Sequence, residues 1–186
     1  MINKKQIQDN RGRVITLLRS TERKNIENLI QWLDSGNFYT SPASTMFHGN
    51  YEGGLTAHSL AIYDEFDRQV KHYKFQVPQD SIIISSLGHD MCKTNFYIPN
   101  KLKSGNLSEA KPYKTEDNFP IGHGEKSVII LSKYIDLTDQ EALIMRWHMG
   151  HEDPSWENYK EKVEKQFPEV TLFQHIDKEV ALFRQL

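Results

Sequence analysis

Apolar residues recur along most of this chain at the spacing of amphipathic helices. In one segment Ile26, Leu29, Ile30 and Leu33 follow the i, i+3, i+4, i+7 pattern of a helix with one buried face. Thr21 is the N-cap that we assign to this helix. The predicted helices cover residues 21–36, 55–71, 78–90, 123–135, 138–150 and 168–183. Few segments alternate as strands do, so the pattern predicts an all-α fold, a single helical bundle.

The length and the interruptions of this pattern predict the domain organisation. A chain of 186 residues is long enough for one domain with a sizeable core. We predict an N-terminal helical extension at 1–40, containing an accessory helix packed on the main domain at 41–186. The longest stretch without periodicity, 100–119, is predicted to be a surface loop or a lid.

Composition and charge narrow the class of function. The net charge is −2, which disfavours extended contact with duplex nucleic acid and leaves a small phosphorylated molecule or a short single strand as partner. No apolar run approaches the roughly 18 residues of a membrane span, and the N-terminus has no signal-peptide pattern. We therefore expect a cytoplasmic protein without a membrane partner. Cys92 is the single cysteine, which excludes an intrachain disulfide framework and a thiolate zinc site.

Several ionisable residues fall where the helical pattern predicts buried positions. Six such residues come from five segments: His58, His89, Asp90, His123, His148 and Asp177. A carboxylate on a core element is costly unless it is paired or bound to a metal. One such residue alone is typical of a hydrogen-bonded core position, but six together favour a metal site. Imidazole and carboxylate donors suit iron or manganese, and also cobalt, nickel or zinc.

The adjacency of His89 and Asp90 indicates how such a site is built. Neighbouring residues of a helix do not share a face, so these two approach a site from different angles. A carboxylate can bridge two ions, whereas an imidazole binds one. We therefore expect a two-metal site with Asp90 between the ions.

The order of these residues resembles that of the HD-domain metal-dependent phosphohydrolase superfamily. The motifs that carry the resemblance are GGLTAHSL, LGHDMCK, GHGEKS, RWHMG and HIDKEVA, and they lie between residues 48 and 181. The preceding segment, FHGNYEGGLTAHSL, is also similar to HD domains of certain 3′-to-5′ exoribonucleases and relaxase-associated proteins. The chain most resembles small, stand-alone HD proteins of bacteria and phages that bind two metals.

The resemblance implies a role for each metal-ligand candidate. It assigns His58, His89 and Asp177 to one metal, Asp90 to the bridge, and His123 and His148 to the second metal. His151, three residues after His148, is a competing ligand. We prefer His148, because Gly150 is predicted to end its helix.

Four residues are candidates for contact with a substrate. In HD enzymes a lysine often follows the His-Asp pair, and Lys93 is also a candidate for assisting the leaving group. Its alternative is a salt bridge to a ligand carboxylate. Arg146 is a candidate phosphate clamp, with a solvated helix face as its alternative. His48 and Tyr51 lie on the loop that precedes His58. They are candidates for residues that border the substrate, with a purely structural role in the turn as the alternative.

The resemblance implies hydrolysis of a phosphoester or phosphoanhydride bond in a nucleotide or a short oligonucleotide. Asp90 and Lys93 are the predicted catalytic residues, and a metal-activated hydroxide is the expected nucleophile. One alternative is a mixed-valent diiron oxygenase, which uses the same ligand types. Another is a metal-stabilised binding module without turnover.

The apolar faces of the predicted helices fit an internal core and a homodimer interface equally.

Overall fold

The computed structural model describes residues 2–183, which are mostly helical. Within that range the α-helices are α1 Lys4–Ser20, α2 Ile26–Ser35, α3 Gly54–Tyr73, α4 Gln79–Gly88, α5 His123–Leu131, α6 Asp139–Trp147, α7 Lys160–Gln166 and α8 Pro168–Phe183. Two short strands, β1 Tyr97–Pro99 and β2 Tyr113–Thr115, form an antiparallel hairpin. The predicted helical fold is confirmed, and the hairpin is the one addition of regular structure beyond helices in this range. No helix of residues 2–183 combines the length and the apolarity that crossing a membrane requires.

The central helices α3 and α4 contribute to both apolar clusters of the core. Leu55 and Leu87 belong to a cluster that also contains Val14 of α1, so the N-terminal helices pack on the same core. Ile62 belongs to a second cluster, which includes Phe173 of α8. Burial on both sides explains why the Ile-rich run of α4 shows little amphipathic pattern. The domain boundary at residue 40 stays a prediction.

Thr21 and Gly150 do not mark the helix ends that the sequence predicts. Thr21 does not cap the start of α2; its hydroxyl donates to the Leu18 carbonyl oxygen at 2.6 Å, and it terminates α1 instead. Helix α2 begins at Ile26. The predicted stop of α6 at Gly150 is three residues late, because α6 ends at Trp147 and a 3₁₀ turn follows. These shifts leave the buried faces of both helices unchanged.

The predicted loop at 100–119 is largely exposed and contains β2. Its far end is anchored to α5, because the Lys126 ammonium donates to Asp117 Oδ1 at 2.5 Å. The same ammonium lies 5.2 Å from the centre of the Phe96 ring, and the Glu116 N–H donates to the Phe96 carbonyl oxygen at 2.8 Å. The segment is therefore fixed at its base next to the turn that follows α4. Its role as a lid stays a prediction.

Candidate metal centre

Five of the six predicted metal ligands form one cluster inside the protein. They are His58 in α3, His89 and Asp90 at the end of α4, His123 at the start of α5 and His148 at the end of α6. Four of them are buried, and His123 is half-buried. The cluster therefore forms where the ends of three helices meet the second turn of a fourth.

The cluster divides into two groups that share Asp90. One group contains His58 and His89 with Asp90, the other His123 and His148 with Asp90, and within each group the donor atoms lie within 4.8 Å of one another. Asp90 Oδ2 lies 3.4 Å from His89 Nε2 and 3.9 Å from His58 Nε2. Asp90 Oδ1 lies 2.7 Å from His123 Nε2 and 3.7 Å from His148 Nε2. Each carboxylate oxygen thus faces a different pair of imidazoles.

Two glycines let the helix ends approach closely enough to bring these groups together. A Cβ atom on Gly88 would lie 2.4 Å from the Leu131 side chain, and one on Gly124 would lie 2.2 Å from the Arg146 carbonyl oxygen. Gly88 directly precedes His89, and Gly124 directly follows His123. A side chain at either position would separate α5 from α4 or α6 and move the histidines apart.

Asp90 lies just beyond α4 rather than within a continuous helix. The helix ends at Gly88, His89 is its C-cap, and Asp90 has φ −102° and ψ 19° before a 3₁₀ turn at Met91–Lys93. Lys93 therefore lies in this turn and not in a helix that also contains Asp90. The turn still brings the Lys93 ammonium 2.7 Å from Asp90 Oδ2, which is the salt bridge to a ligand carboxylate that the sequence left open.

Backbone carbonyl oxygens orient two of the imidazoles. His89 Nδ1 lies 2.8 Å from the Ser86 carbonyl oxygen, and His148 Nδ1 lies 2.7 Å from the Met145 carbonyl oxygen. Because a carbonyl oxygen can only accept, each Nδ1 must donate. In the neutral ring, Nε2 then carries the lone pair and faces the cluster. This arrangement is the usual outer support of a metal-binding histidine.

His148 shows that the cluster fits a metal better than a set of internal hydrogen bonds. Its Nε2 is buried and has no hydrogen-bond partner among residues 2–183. Leaving a buried polar atom without a partner costs about 1–3 kcal/mol. Burial and the nearby His89 and His123 lower the pKa of His148 to about 3, so its imidazole is neutral at ordinary pH. A neutral, unpartnered nitrogen beside a carboxylate is a suitable ligand for a divalent metal.

The charges around Asp90 keep its carboxylate ionised. Burial by itself would raise the pKa of Asp90, but Lys93, His89 and His123 hold that pKa well below its usual range. Burial likewise acts to lower the pKa of His123, yet its hydrogen bond with Asp90 raises it to about 10. The buried anion is therefore surrounded by positive partners, and a divalent metal would bind there by displacing the protons of the imidazoles.

Asp177 and His151 lie outside the two groups. Asp177 Oδ1 is 3.1 Å from His58 Nε2, so this carboxylate lies beside the first group, and its assignment as a ligand stays a prediction. His151 is exposed, and its Nδ1 lies 2.6 Å from Glu157 Oε1. Of the two competing histidines, the structure thus brings His148 to Asp90 and leaves His151 on the surface.

The remaining candidates differ in their distance from the cluster and in the partners they already have. Arg146 lies 2.5 Å from both Glu125 and Asp153, and its guanidinium stacks on the Trp147 ring, so its use as a phosphate clamp stays a prediction. His48 packs against His58, with ring centres 4.9 Å apart. Tyr51 is half-buried on the same loop as His48.

Cys92 is a neighbour of the cluster that the sequence did not indicate. Its Sγ lies 3.4 Å from His123 Nε2, and its backbone N–H donates to Ser127 Oγ at 3.1 Å. The tight turn after Asp90 causes this contact. Helical spacing could not reveal it, because the turn is not α-helical.

Replacing His148 should remove one metal ion of two, because it deletes a donor of the second group and leaves the first group intact. We expect His148→Ala to bind about one equivalent fewer than the wild-type protein, measured by elemental analysis after dialysis. His151→Ala is the matched control, a histidine three residues away on the surface, and it should keep the wild-type metal content. Equal metal content in the wild-type protein, His148→Ala and His151→Ala would contradict the assignment of the second group as a metal site.

No protein-family model matches the sequence, and no curated protein and no solved structure matches it either. The resemblance to HD domains therefore stays a prediction from the sequence motifs, and the structure supports a buried cluster of histidines and Asp90 that could hold metal.

Proposed function

We propose that this protein is a metal-dependent phosphohydrolase that cleaves a phosphoester or phosphoanhydride bond. The observation that carries this proposal is the position of Asp90, whose two oxygens face two separate pairs of imidazoles. A carboxylate shared in this way is suited to hold two divalent metals close together. Paired metals of this kind are used for in-line displacement at phosphorus.

In this proposal the five clustered residues hold the metals, and Asp177 completes the first site from its place beside His58. When bound, the metals supply activation of water and neutralisation of charge on the phosphoryl oxygens. The chain itself supplies orientation: the Ser86 and Met145 carbonyl oxygens fix the imidazoles of His89 and His148. Lys93 holds the Asp90 carboxylate in place from the side opposite the second group.

The exposure of the cluster indicates where a substrate enters. The side chains of His123 and Asp177 are 32% and 20% exposed, whereas His89 and His148 are 0% and 1% exposed. In this proposal the substrate phosphate reaches the metals past His123 and Asp177, while the base of a nucleotide or of a short oligonucleotide stays outside.

A direct test is hydrolysis by the protein after loading with manganese or iron. We expect turnover of p-nitrophenyl phosphate or bis(p-nitrophenyl) phosphate, measured as the release of p-nitrophenolate. Chelation of the metal should abolish this turnover. Restoring the metal should restore the rate. A panel of nucleoside mono-, di- and triphosphates and dinucleotides then defines the natural bond, by release of phosphate or mononucleotide.

His151→Ala is the active control in this assay, because this surface histidine is not near the cluster. An iron-loaded protein that consumes dioxygen but hydrolyses none of these compounds would contradict a phosphohydrolase and indicate an oxygenase. A fully metallated protein with neither activity would indicate a binding module.

A further inference from the structure

The loop between α2 and α3 is folded so that it fixes the position of His48. The Ala43 N–H donates to the Gly49 carbonyl oxygen at 2.8 Å, which closes the loop around its tip. Ser44 Oγ accepts from the Phe47 N–H and donates to the His48 carbonyl oxygen, both at 2.8 Å. The backbone on both sides of His48 is therefore held by hydrogen bonds within the loop.

The same loop is attached to α3 and to the turn after Asp90, which are two of the segments that carry metal-ligand candidates. The Leu55 N–H, at the start of α3, donates to the Ser41 carbonyl oxygen at 3.0 Å. Ser41 Oγ in turn donates to the Lys93 carbonyl oxygen at 3.3 Å, in the turn that follows Asp90. His48 thus has a fixed position relative to both His58 and Asp90.

His48 presents a buried nitrogen that nothing in the described chain satisfies. Its Nε2 has no hydrogen-bond partner among residues 2–183, although its ring packs 4.9 Å from the His58 ring. A buried polar atom without a partner is destabilising, so the hydrogen bonds of the loop must hold it in place against that cost. Such an atom beside a binding site indicates a partner that arrives with the ligand.

The distances indicate that this partner is an atom of a bound ligand rather than a metal. His48 belongs to neither of the two groups whose donor atoms lie within 4.8 Å of one another, as judged over residues 2–183. His48 lies beside His58 of the first group without being one of its donors, so a ligand bound to that group is the partner nearest to hand.

We propose that His48 Nε2–H donates a hydrogen bond to a phosphoryl oxygen of the substrate bound beside His58. This inference rests on the proposed phosphohydrolase function and adds a substrate-binding residue to it. The ligand class is a phosphate ester or anhydride, of which inorganic phosphate retains the essential oxygens. An imidazole N–H is a suitable donor to such an anionic oxygen.

The test uses inorganic phosphate and the metal-loaded full-length protein. Isothermal titration calorimetry should show that His48→Ala binds phosphate roughly 10- to 100-fold more weakly than wild type, the range for a hydrogen bond to a charged acceptor. His48→Gln retains an N–H donor at a similar reach and should recover part of that loss. Metal content, measured by elemental analysis, should be the same in both variants and in wild type.

His151→Ala is the matched histidine control and should bind phosphate as wild type does. Equal phosphate affinity in His48→Ala and wild type would overturn the inference and leave the proposed function intact. Loss of metal from both His48 variants would also overturn it, since His48 would then support the metal site itself. A metallated wild-type protein that binds no phosphate would overturn the proposed function, and the inference with it.

Discussion

Replacing Asp90 with Asn is expected to remove both metal ions and to lower hydrolysis by more than about a hundredfold. Losing a residue that only supports a metal ligand lowers metal affinity or activity roughly 10- to 100-fold. Asp90 is itself a ligand candidate and is common to both groups, so its loss should have a larger effect. An amide keeps the size of the side chain but carries no negative charge and offers one oxygen. The pair His123 and His148 then has no anionic partner, and the pair His58 and His89 keeps only the Asp177 carboxylate beside His58.

The same substitution should leave the helical fold in place. Asp90 lies beyond the end of α4, so its side chain is not part of a helical hydrogen-bond ladder. Stability should still decrease, because the Lys93 ammonium is only 12% exposed and loses its carboxylate partner. Circular dichroism checks the fold and the turnover assay checks the activity, with His151→Ala as control. An Asp90→Asn protein with wild-type turnover would refute the shared-ligand arrangement.

Replacing Glu141 with Ala is expected to be the most destabilising change away from the metal centre. Glu141 is fully buried and lies 2.5 Å from Arg23 Nη2, and it also accepts from Ser81 Oγ at 2.7 Å. Its second oxygen accepts from the Thr138 N–H at 2.9 Å, which completes the capping box of α6. The residue thus joins the N-terminal segment, α4 and α6.

Removing one partner of a buried ion pair costs about 3–5 kcal/mol. Arg23 keeps Asp80 as a partner, but Ser81 Oγ and the Thr138 N–H also lose their acceptor. We expect a decrease of that size in the free energy of unfolding of Glu141→Ala, measured by urea denaturation. Asp80→Ala is the matched control, because Asp80 pairs with the same Arg23 at 2.7 Å but is 36% exposed. Its loss should cost about 1 kcal/mol or less. Equal decreases in the free energy of unfolding for Glu141→Ala and Asp80→Ala would show that the contribution of the Arg23 ion pairs does not depend on burial.

The sequence was informative about the helices because their buried faces are periodic. Helix α8 spans Pro168–Phe183 as predicted, and α6 begins at Asp139, next to its predicted start at 138. Helix α7, Lys160–Gln166, was not predicted, because Val163 is its one buried residue and no apolar stripe marks it. The hairpin was missed for a related reason, since strands of three residues are too short to show alternation.

The candidate site was predictable as a set of residues but not as a geometry. His58 was found because it interrupts the apolar face of a helix that the pattern already located. The end of α4 before Asp90 was missed, because the prediction continued the helix through Gly88, the residue at which it ends. Sequence spacing also left His148 and His151 as alternatives, and they are separated because α6 ends before His148 and His151 lies exposed in the 3₁₀ turn that follows.

The most direct test of the central claim is the metal content of the wild-type protein. The protein is purified without chelators or an immobilised-metal column, reconstituted with manganese or ferrous iron, dialysed and measured by elemental analysis. We expect about two equivalents per chain, because Asp90 is shared by two groups of donors. Absence of bound metal after reconstitution would contradict the account, and the clustered histidines would then be internal partners of a buried carboxylate.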